Sequence, residues 1–304
     1  MSANRIHVDQ LDTDEFLVRR LLADQFPQWA DLPVTAVATS GTENAIYRLG
    51  AVMVVRLPYR PVRNDQIEKL ERWLPKLASH LPLSIPVPLA RGAPSPEYPA
   101  VWSIVRWLDG EEATLARLHG PVGAARTLAG FVRALMAIDA TGGPAPGTHN
   151  FWRGVPLAAR DEMTRKCIRE SKDLVDTEAV TRAWERDLAA PVWDAHPTWL
   201  HGDLVPDNML VNEGKLSAVI DWGGLGVGDP ATELLPAWNL FRGASREAYR
   251  VALGFDDATW ARGRGLALST SIVALPYYID TLPVRAQRAA EVIHEVLADQ
   301  EQEA

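Results

Sequence analysis

His201-Gly-Asp203-Leu-Val-Pro-Asp207-Asn208 is the most informative segment of this chain, and Ile220-Asp221-Trp222 follows it. Asp221 comes thirteen residues after Asn208, so the chain reads H-x-D-x-x-x-x-N followed by a second aspartate. Phosphoryl transfer from a nucleotide requires an acceptor for the proton of the attacking hydroxyl and oxygen ligands for magnesium. The spacing therefore predicts Asp203 as the base, with Asn208 and Asp221 as magnesium ligands.

Two β-prone runs surround the second half of this motif. Residues 209–211 are apolar, residues 215–220 form another β-prone run, and the turn-forming sequence Asn-Glu-Gly at 212–214 joins them. A hairpin of this kind carries Asn208 before its first strand and Asp221 after its second. Two hard oxygen ligands then converge at one end of the hairpin, an arrangement that suits magnesium better than zinc.

His201 belongs to the same catalytic segment. A His-Gly-Asp sequence alone could also form a turn in which the aspartate accepts backbone N–H bonds. The full set of residue types at these separations favours the catalytic interpretation. Within it we expect the imidazole of His201 to hydrogen-bond the backbone and hold the loop, and not to transfer the proton.

The motif, together with Gly228-Asp229-Pro230, resembles the aminoglycoside phosphotransferase family of small-molecule kinases. The resemblance extends from the loop at 40–44 to Pro276-Tyr277-Tyr278 and is most specific over residues 199–230. It implies an α+β, bilobal, protein-kinase-like fold with a strand-rich N-terminal lobe and a mainly helical C-terminal lobe. It also implies Mg²⁺ as cofactor, ATP or GTP as phosphoryl donor, and a hydroxyl of an aminoglycoside or related antibiotic as acceptor.

Hydrophobic periodicity in the first third of the chain predicts two helices and five strands. The first helix is predicted to begin at a capping box formed by Asp12 and Glu15. The predicted elements are a helix at 12–25, strands at 34–39, 45–49 and 52–57, a helix at 63–80, and strands at 87–90 and 101–108. A hinge at 108–111 then predicts two domains, a nucleotide-binding lobe over residues 1–108 and a helical lobe over residues 109–304.

The remainder is predicted to be mainly helical, with strands confined to residues 199–221. The predicted helices span residues 122–140, 157–172, 177–188, 232–241, 246–253, 257–279 and 284–299. Glycines at 223, 224, 226 and 228 do not form the G-x-G-x-x-G sequence of a dinucleotide site, so we interpret them as flexible backbone near the metal. The helical lobe is therefore expected to carry the catalytic loop and the acceptor site.

The N-terminal lobe departs from the protein-kinase pattern at its basic residue. Arg56, at the end of an apolar strand, stands where protein kinases have a lysine that pairs with the α- and β-phosphates. Its acidic partner is expected on the following helix, where Glu68 and Glu71 lie one turn apart. We assign this role to Glu68, and the sequence leaves Glu71 open.

Two further segments are candidates for nucleotide contacts. The hydroxyls and backbone N–H groups of Ser40, Gly41 and Thr42 could meet phosphate oxygens. This loop has one glycine where kinase loops have three, and an ordinary hairpin turn is the alternative. The backbone of residues 104–108, with Trp107 among them, is expected to contact the base, and the sequence does not distinguish ATP from GTP there.

The resemblance implies a cationic acceptor, so carboxylates near the base are the candidate acceptor ligands. Asp161, Glu162 and Asp207 are chosen, although each alone is more typical of a solvated helix residue or a cap. The net charge of −8 is compatible with a cationic acceptor and argues against nucleic acid as a partner.

The other sequence features are typical of a cytoplasmic protein. Cys167 is the single cysteine and cannot form an internal disulfide. The first residues contain no apolar signal-peptide core, and no apolar run approaches the length of a membrane span. The sequence therefore predicts a cytoplasmic, magnesium-dependent small-molecule O-phosphotransferase. The alternatives are a metabolic kinase for an amino alcohol, sugar or amino acid, a macrolide kinase, and an inactive nucleotide-binding pseudokinase.

Overall fold

A computed structural model describes residues 10–38, 43–60 and 64–302, and the chain divides into two compact units. The first unit contains Met1–Gly110 and the short segment Ala218–Ile220, and the second contains Glu111–Ser217 and Asp221–Ala304. The first is rich in strands and the second in helices, so the fold is of the α+β class.

The first unit is built on a five-stranded antiparallel sheet. Its strands are β1 (Val34–Val37), β2 (Asn44–Leu49), β3 (Met53–Pro58), β4 (Pro88–Gly92) and β5 (Trp102–Arg106), in the order β1-β2-β3-β5-β4. In β2 the buried side chains of Ala45, Tyr47 and Leu49 alternate with less buried ones, which is the period of a half-buried strand. The five strands predicted for this region are confirmed, with ends shifted by one or two residues.

Two helices, α1 (Glu15–Gln25) and α2 (Asn64–Ala78), belong to the same unit. The prediction of a capping box at Asp12 is wrong, because the N-cap of α1 is Asp14, whose side chain accepts the N–H of Leu17 at 2.7 Å. The carboxylate of Glu15 instead accepts the N–H of Ala36 in β1 at 2.9 Å. Glu15 therefore connects the helix to the sheet and takes no part in a capping box.

Five short strands follow in the described part of the chain and form two small sheets, mostly within the second unit. They are β6 (Glu111–Glu112), β7 (Thr198–Leu200), β8 (Met209–Asn212), β9 (Lys215–Val219) and β10 (Gly226–Gly228), with the orders β6-β8-β9 and β10-β7. The predicted hairpin is confirmed as β8 and β9. Its two turn residues, Glu213 and Gly214, have φ angles of 48° and 74°, as in a type I′ turn that matches the twist of the strands.

The restriction of strands to residues 199–221 is wrong, because β6 and β10 lie outside that range. The interpretation of the glycines as flexible backbone is also wrong for Gly226 and Gly228, which are buried and pair with β7. A Cβ added at Gly226 would lie 2.4 Å from Asn150 Nδ2, and one at Gly228 would lie 2.7 Å from the Gly154 oxygen. These glycines therefore permit close backbone approach.

The helices of the second unit surround a buried one. They are α3 (Pro121–Ala137), α4 (Asp161–Glu170), α5 (Thr177–Leu188), α6 (Pro236–Asn239), α7 (Ala244–Leu253), α8 (Asp257–Tyr278) and α9 (Pro283–Gln302). Helix α8 packs against α4, α5 and α9 and buries residues on all its sides. An α-helix that is buried all round needs no polar face toward solvent.

The helices predicted over residues 157–172 and 232–241 each contain a 3₁₀ turn in the structure. Residues Leu157–Arg160 form a 3₁₀ turn before α4, and Pro230–Leu234 form another 3₁₀ turn before α6. The single helix predicted over 232–241 is therefore wrong. Pro236 lacks the N–H that would continue the preceding turn, and its fixed φ suits the first position of the new helix.

No helix in the described ranges has the length and apolar character needed to cross a membrane. The cysteine Cys167 is buried in α4, and burial raises the pKa of its thiol. A buried thiol with a raised pKa is poorly nucleophilic, in agreement with a structural role.

Gly228→Ala is expected to destabilise the protein. Its added Cβ would lie 2.7 Å from the oxygen and 2.8 Å from the Cα of Gly154, and neither backbone atom can rotate away. The loss of unfolding free energy should be roughly 1–3 kcal/mol, the usual cost of overpacking, measured by urea denaturation. Gly130→Ala in α3 is the matched control, because nothing lies within 4 Å of its added Cβ. That helical Gly→Ala change should stabilise by about 0.5–1 kcal/mol, and equal stability of the two variants would contradict the close-approach role of Gly228.

Candidate active site

Asp203 lies in the loop after β7, and its carboxylate is held on two sides. Arg153 Nη2 donates to Asp203 Oδ1 at 2.9 Å, and Asn208 Nδ2 lies 3.2 Å from Asp203 Oδ2. The same Asn208 amide donates to the main-chain oxygen of Asp203 at 2.9 Å. The Asp203 side chain is 36 % exposed, so it has a fixed orientation and a surface that a reactant can reach.

His201 is fully buried and organises the start of this loop. The N–H of Asp203 donates to His201 Nδ1 at 3.2 Å, so that nitrogen acts as an acceptor and the neutral ring carries its proton on Nε2. The ring also packs edge-on against Trp222, with centroids 4.7 Å apart. His201 therefore makes the backbone contact that its sequence context predicts and presents no exposed nitrogen to a reactant.

Glu233 holds the same loop through the backbone of Gly202. It lies on the 3₁₀ turn Pro230–Leu234, is fully buried, and accepts the N–H of Gly202 at 2.9 Å. Burial raises the pKa of the Glu233 carboxyl to about 7, while hydrogen bonds from the backbone of Gly202 and His201 act in the opposite direction. This role is not apparent from the sequence, because no local pattern marks Glu233 as buried.

Asp229 and Arg262 form a buried ion pair beside this turn. Arg262 Nε lies 2.7 Å from Asp229 Oδ2, and Arg262 Nη2 lies 3.2 Å from Oδ1, so the contact is bidentate. Asp229 Oδ1 also caps the turn by accepting the N–H of Ala231 at 3.0 Å. The main-chain N–H of Asp229 donates to the Gly154 oxygen at 3.1 Å. Asp229 is thus fixed through its side chain and its backbone.

Asn208 and Asp221 carry oxygen atoms suited to a magnesium ion. The nitrogen of the Asn208 amide is engaged by Asp203, so its oxygen is the atom that can bind a cation. Asp221 follows β9 with a φ of 57°, a left-handed conformation that aspartate tolerates better than most residues. Among the described residues no group of three or more His, Cys, Asp or Glu side chains could hold a metal. One carboxylate and one amide fit Mg²⁺, which is usually completed by water and substrate phosphates.

Asp161, a predicted acceptor ligand, contacts other side chains of its own unit. Its Oδ1 accepts from Arg165 Nε at 2.8 Å and from Trp184 Nε1 at 2.7 Å. These contacts connect α4 to α5. The neighbouring Glu162 is exposed on α4. The assignment of either carboxylate to the acceptor stays a prediction.

Asp207, the third predicted acceptor ligand, lies between two arginines of α9. It forms an ion pair with Arg288, and its Oδ2 lies 3.8 Å from Arg285 Nη2. The Asp207 side chain is only 15 % exposed. With Arg153 on Asp203, both aspartates of the motif therefore contact guanidinium groups of the protein, which reduces the negative field available to a cationic ligand. Its role in acceptor binding also stays a prediction.

The backbone immediately before Arg153 adopts an uncommon conformation. Phe151 and Trp152 have φ angles of 56° and 57°, the left-handed region that bulky residues rarely adopt. One left-handed residue is ordinary at the end of a helical turn, but two successive aromatic residues are not. Each costs on the order of 1 kcal/mol or more. Both residues are 55 % exposed.

The predicted nucleotide ligands Arg56, Glu68 and Glu71 belong to the first unit. Arg56 is partly buried in β3. On α2, Glu68 Oε1 and Glu71 Oε2 lie 3.2 Å and 3.6 Å from Arg91 Nη1, a cationic partner in β4 that sequence analysis missed. Pairing of either glutamate with Arg56 stays a prediction.

Trp107 donates its Nε1–H to Asp109 Oδ1 at 2.6 Å, and the guanidinium of Arg48 lies 4.0 Å from its ring centroid. These contacts hold the ring at the end of the first unit. The predicted phosphate-binding residues Ser40, Gly41 and Thr42 lie outside the described residues.

Comparison with known proteins gives one family match. The sequence model described as "Phosphotransferase enzyme family" (APH) matches residues 34–266. Among curated proteins no match is found.

Several solved structures with a similar fold are phosphotransferases. The GDP and kanamycin complex of APH(2")-IIia superposes with a TM-score of 0.73 at 19 % identity, covering 94 % of this chain and 99 % of that chain. The macrolide 2'-phosphotransferase MphH from Brachybacterium faecium gives a TM-score of 0.60 at 22 % identity, covering 91 % and 97 %. The streptomycin–ATP–APH(2")-IIa ternary complex gives 0.59 at 17 % identity, covering 93 % and 99 %. These similarities confirm the predicted α+β, protein-kinase-like fold.

The contribution of Glu233 to stability is expected to fall as pH rises from about 4.5 to about 7. The pKa of this carboxyl is about 7 in the folded protein, against an ordinary value of 4.5. In this window the folded state keeps a proton that the unfolded state has lost. The contribution is therefore fully present below the unfolded pKa and is lost as pH rises through the folded pKa. Its size is on the order of 3 kcal/mol.

Glu233→Gln should remove this pH-dependent contribution to the free energy of unfolding. The glutamine amide stays neutral and can still accept the N–H of Gly202. Denaturant unfolding at about pH 5 and about pH 7.5 measures it. The control is Glu247→Gln, which changes an exposed glutamate of α7. The same pH dependence in the parent protein and in Glu233→Gln would contradict the raised pKa.

Proposed function

The chain belongs to the phosphotransferase enzyme family, and we propose that it transfers the γ-phosphoryl group of ATP or GTP to a hydroxyl of a small molecule, with Mg²⁺ as cofactor. The observation that best supports this is the carboxylate of Asp203, held between the Asn208 amide and the Arg153 guanidinium. An oriented, partly exposed carboxylate beside an oxygen ligand for magnesium is what phosphoryl transfer requires.

In the proposed reaction the acceptor oxygen attacks the γ-phosphorus, and its proton passes to Asp203. The new O–P bond forms as the bond from the γ-phosphorus to the bridging oxygen breaks, and a nucleoside diphosphate leaves. A bound Mg²⁺ supplies charge neutralisation on the phosphates, and Asn208 and Asp221 would hold it. Glu233 and His201 contribute before the chemical step, because they fix the backbone from which Asp203 projects.

The donor is proposed to be ATP or GTP because complexes with GDP and with ATP occur among the similar structures. In this chain the proposed nucleotide contacts are Arg56 with Glu68 or Glu71, the loop 40–42 and Trp107.

For the acceptor we propose a hydroxylated antibiotic, with aminoglycosides as the first class. Kanamycin and streptomycin are bound in two similar structures. A macrolide is the second candidate, supported by the similarity to a macrolide 2'-phosphotransferase and by the arginines that already neutralise Asp207. The carboxylates Asp161, Glu162 and Asp207 remain the proposed contacts for a cationic acceptor.

A phosphorylation assay separates these possibilities. The protein, Mg²⁺ and either ATP or GTP would be incubated with kanamycin, streptomycin, a macrolide, and a set of amino alcohols, sugars and amino acids. A phosphorylated antibiotic supports the proposal, and turnover of a metabolite alone supports the metabolic-kinase alternative. Nucleotide binding without transfer or hydrolysis would identify a pseudokinase, which the presence of Asp203, Asn208 and Asp221 argues against.

Asp203→Asn should nearly abolish turnover, because an amide cannot accept the hydroxyl proton in the transition state. Nucleotide affinity should be retained, since this role does not involve the nucleotide. Steady-state kinetics and calorimetric nucleotide titration measure the two effects, with the exposed Asp173→Asn as control. Retention of a tenth or more of kcat/KM, a loss of only about 1.4 kcal/mol, would show that Asp203 is not the base.

Asp221→Ala should weaken magnesium-dependent nucleotide binding more than Asn208→Ala does, because a carboxylate neutralises charge and an amide does not. Asn208→Ala should in addition lower kcat, since it removes the two hydrogen bonds that Asn208 donates to Asp203 and leaves only that from Arg153. Nucleotide titrations with and without Mg²⁺ give the first comparison. Unchanged magnesium dependence in Asp221→Ala would exclude it as a ligand.

A further inference from the structure

We propose that the segment Phe151-Trp152-Arg153 recognises the acceptor, with the indole of Trp152 stacking on a hydroxylated sugar ring while Arg153 fixes the catalytic base beside it. This inference rests on the proposed transfer to a hydroxyl and names the residues that select its acceptor. The ligand chemistry is a saturated ring with hydroxyls at its edge and C–H groups on its face, which an aminoglycoside or a macrolide could supply.

The segment is connected directly to the base. Arg153 Nη2 donates to Asp203 Oδ1 at 2.9 Å. A Cβ added at Gly202 would lie only 3.2 Å from Arg153 Cβ, so the backbone at 153 packs on the catalytic loop itself. Trp152 immediately precedes Arg153, and the Cα atoms of successive residues are about 3.8 Å apart. Trp152 therefore adjoins, along the chain, the residue whose guanidinium holds Asp203.

The exposure of the two aromatic residues differs from that of most large aromatics in this unit. Trp199, Trp222 and Trp238 are fully buried, while Phe151 and Trp152 are each 55 % exposed. An exposed aromatic ring offers a broad, rigid contact face at a low cost in side-chain entropy. At the edge of a catalytic loop, such a face suits the apolar side of a ring whose hydroxyls point toward the base.

Hydrogen bonds impose the left-handed conformation on these residues. Asn150 is fully buried, accepts the N–H of Gly147 at 2.9 Å, and donates from Nδ2 to the Arg153 oxygen at 3.2 Å. The N–H of Trp152 donates to the Gly147 oxygen at 2.9 Å. The hydrogen bonds thus hold the backbone in a conformation that glycine or asparagine adopts at lower energy. Because the two rings are half-exposed, their burial offsets little of this strain energy. Binding of a ligand to the exposed rings would explain why bulky aromatic residues occupy these two left-handed positions.

The charges around the segment are consistent with ring stacking as the main contact. Arg160 lies near Arg153, and burial, together with the charge of Arg153, lowers the pKa of Arg160 to about 10. Arg160 also donates to Ser269 Oγ at 2.8 Å. Trp152 and Arg160 line one narrow cleft with Gly154. The lining also includes the Asp229–Arg262 ion pair, so the cleft holds an aromatic residue, two arginines and one carboxylate. Its cations outnumber its carboxylate, unlike those of a carboxylate-lined pocket for a polycation.

The test compares Trp152→Asn with Trp152→Phe. Asparagine tolerates the left-handed conformation but removes the ring, whereas phenylalanine keeps an aromatic face. Kanamycin and a macrolide are the two acceptor probes, assayed with Mg²⁺ and the active nucleotide. Trp152→Asn should raise the acceptor KM at least tenfold and leave the nucleotide KM within twofold. Trp152→Phe should raise the acceptor KM less than threefold. The melting temperature of Trp152→Asn should be equal to or above that of the parent, because the strain is relieved.

Phe16→Ala is the matched control, since it removes a 73 % exposed aromatic ring from helix α1. It should change neither KM. An unchanged acceptor KM in Trp152→Asn would overturn the proposal, as would a rise that is accompanied by a lower melting temperature and a higher nucleotide KM.

Calorimetric binding of the same two probes, with Mg²⁺ and a non-hydrolysable nucleotide, separates this proposal from the proposed function. A probe that binds the parent but is not phosphorylated contradicts the phosphotransferase proposal, and weaker binding by Trp152→Asn then still supports recognition by the segment. If neither probe binds the parent, recognition of a sugar ring is overturned, while nucleotide hydrolysis independently reports on the phosphotransferase activity.

Discussion

The buried ion pair between Arg262 and Asp229 is the constraint on which the catalytic loop depends. Arg262 projects from the buried helix α8 and holds Asp229 by two hydrogen bonds. Asp229 caps the 3₁₀ turn that carries Glu233, and Glu233 accepts the N–H of Gly202, next to the proposed base Asp203. The position of the core helix α8 thereby determines, through this series of hydrogen bonds, where the backbone that carries Asp203 lies. Removing one partner of a buried pair costs roughly 3–5 kcal/mol, because the other charge stays buried without compensation.

Helix α8 can serve as this anchor because it carries two arginines that point to different neighbours. Residues two apart do not share a helix face, so Arg262 contacts Asp229 while Arg264 contacts Asp187 of α5 at 2.9 Å. Gly263 between them permits close packing, since an added Cβ would lie 2.5 Å from Leu234 Cβ. The anchor helix therefore packs tightly against the same turn that holds Glu233.

The parts of the fold that sequence analysis predicted are those with local chemical signals. The hairpin of β8 and β9 follows from β-prone runs around an Asn-Glu-Gly turn, and the motif from Asp203 to Asn208 follows from residue types at fixed spacing. The strand at 226–228 was missed because glycines have no side-chain period, and its pairing depends on close approach to another segment. The role of Glu233 was missed for a related reason, since its burial is decided by distant packing.

The net charge of the chain does not determine which acceptor is preferred, because that preference depends on the charges close to the site. The net charge of −8 is a sum over the chain, and it favours a cationic ligand only if the negative groups face the site. In the motif Asp207 contacts arginines of α9, and Asp203 contacts Arg153. Each guanidinium offsets a carboxylate, so electrostatic attraction of a polycation is weakened where it would matter most. Under the proposed recognition, selection among acceptors would then depend on shape and on stacking against the half-exposed Trp152, whose backbone is strained.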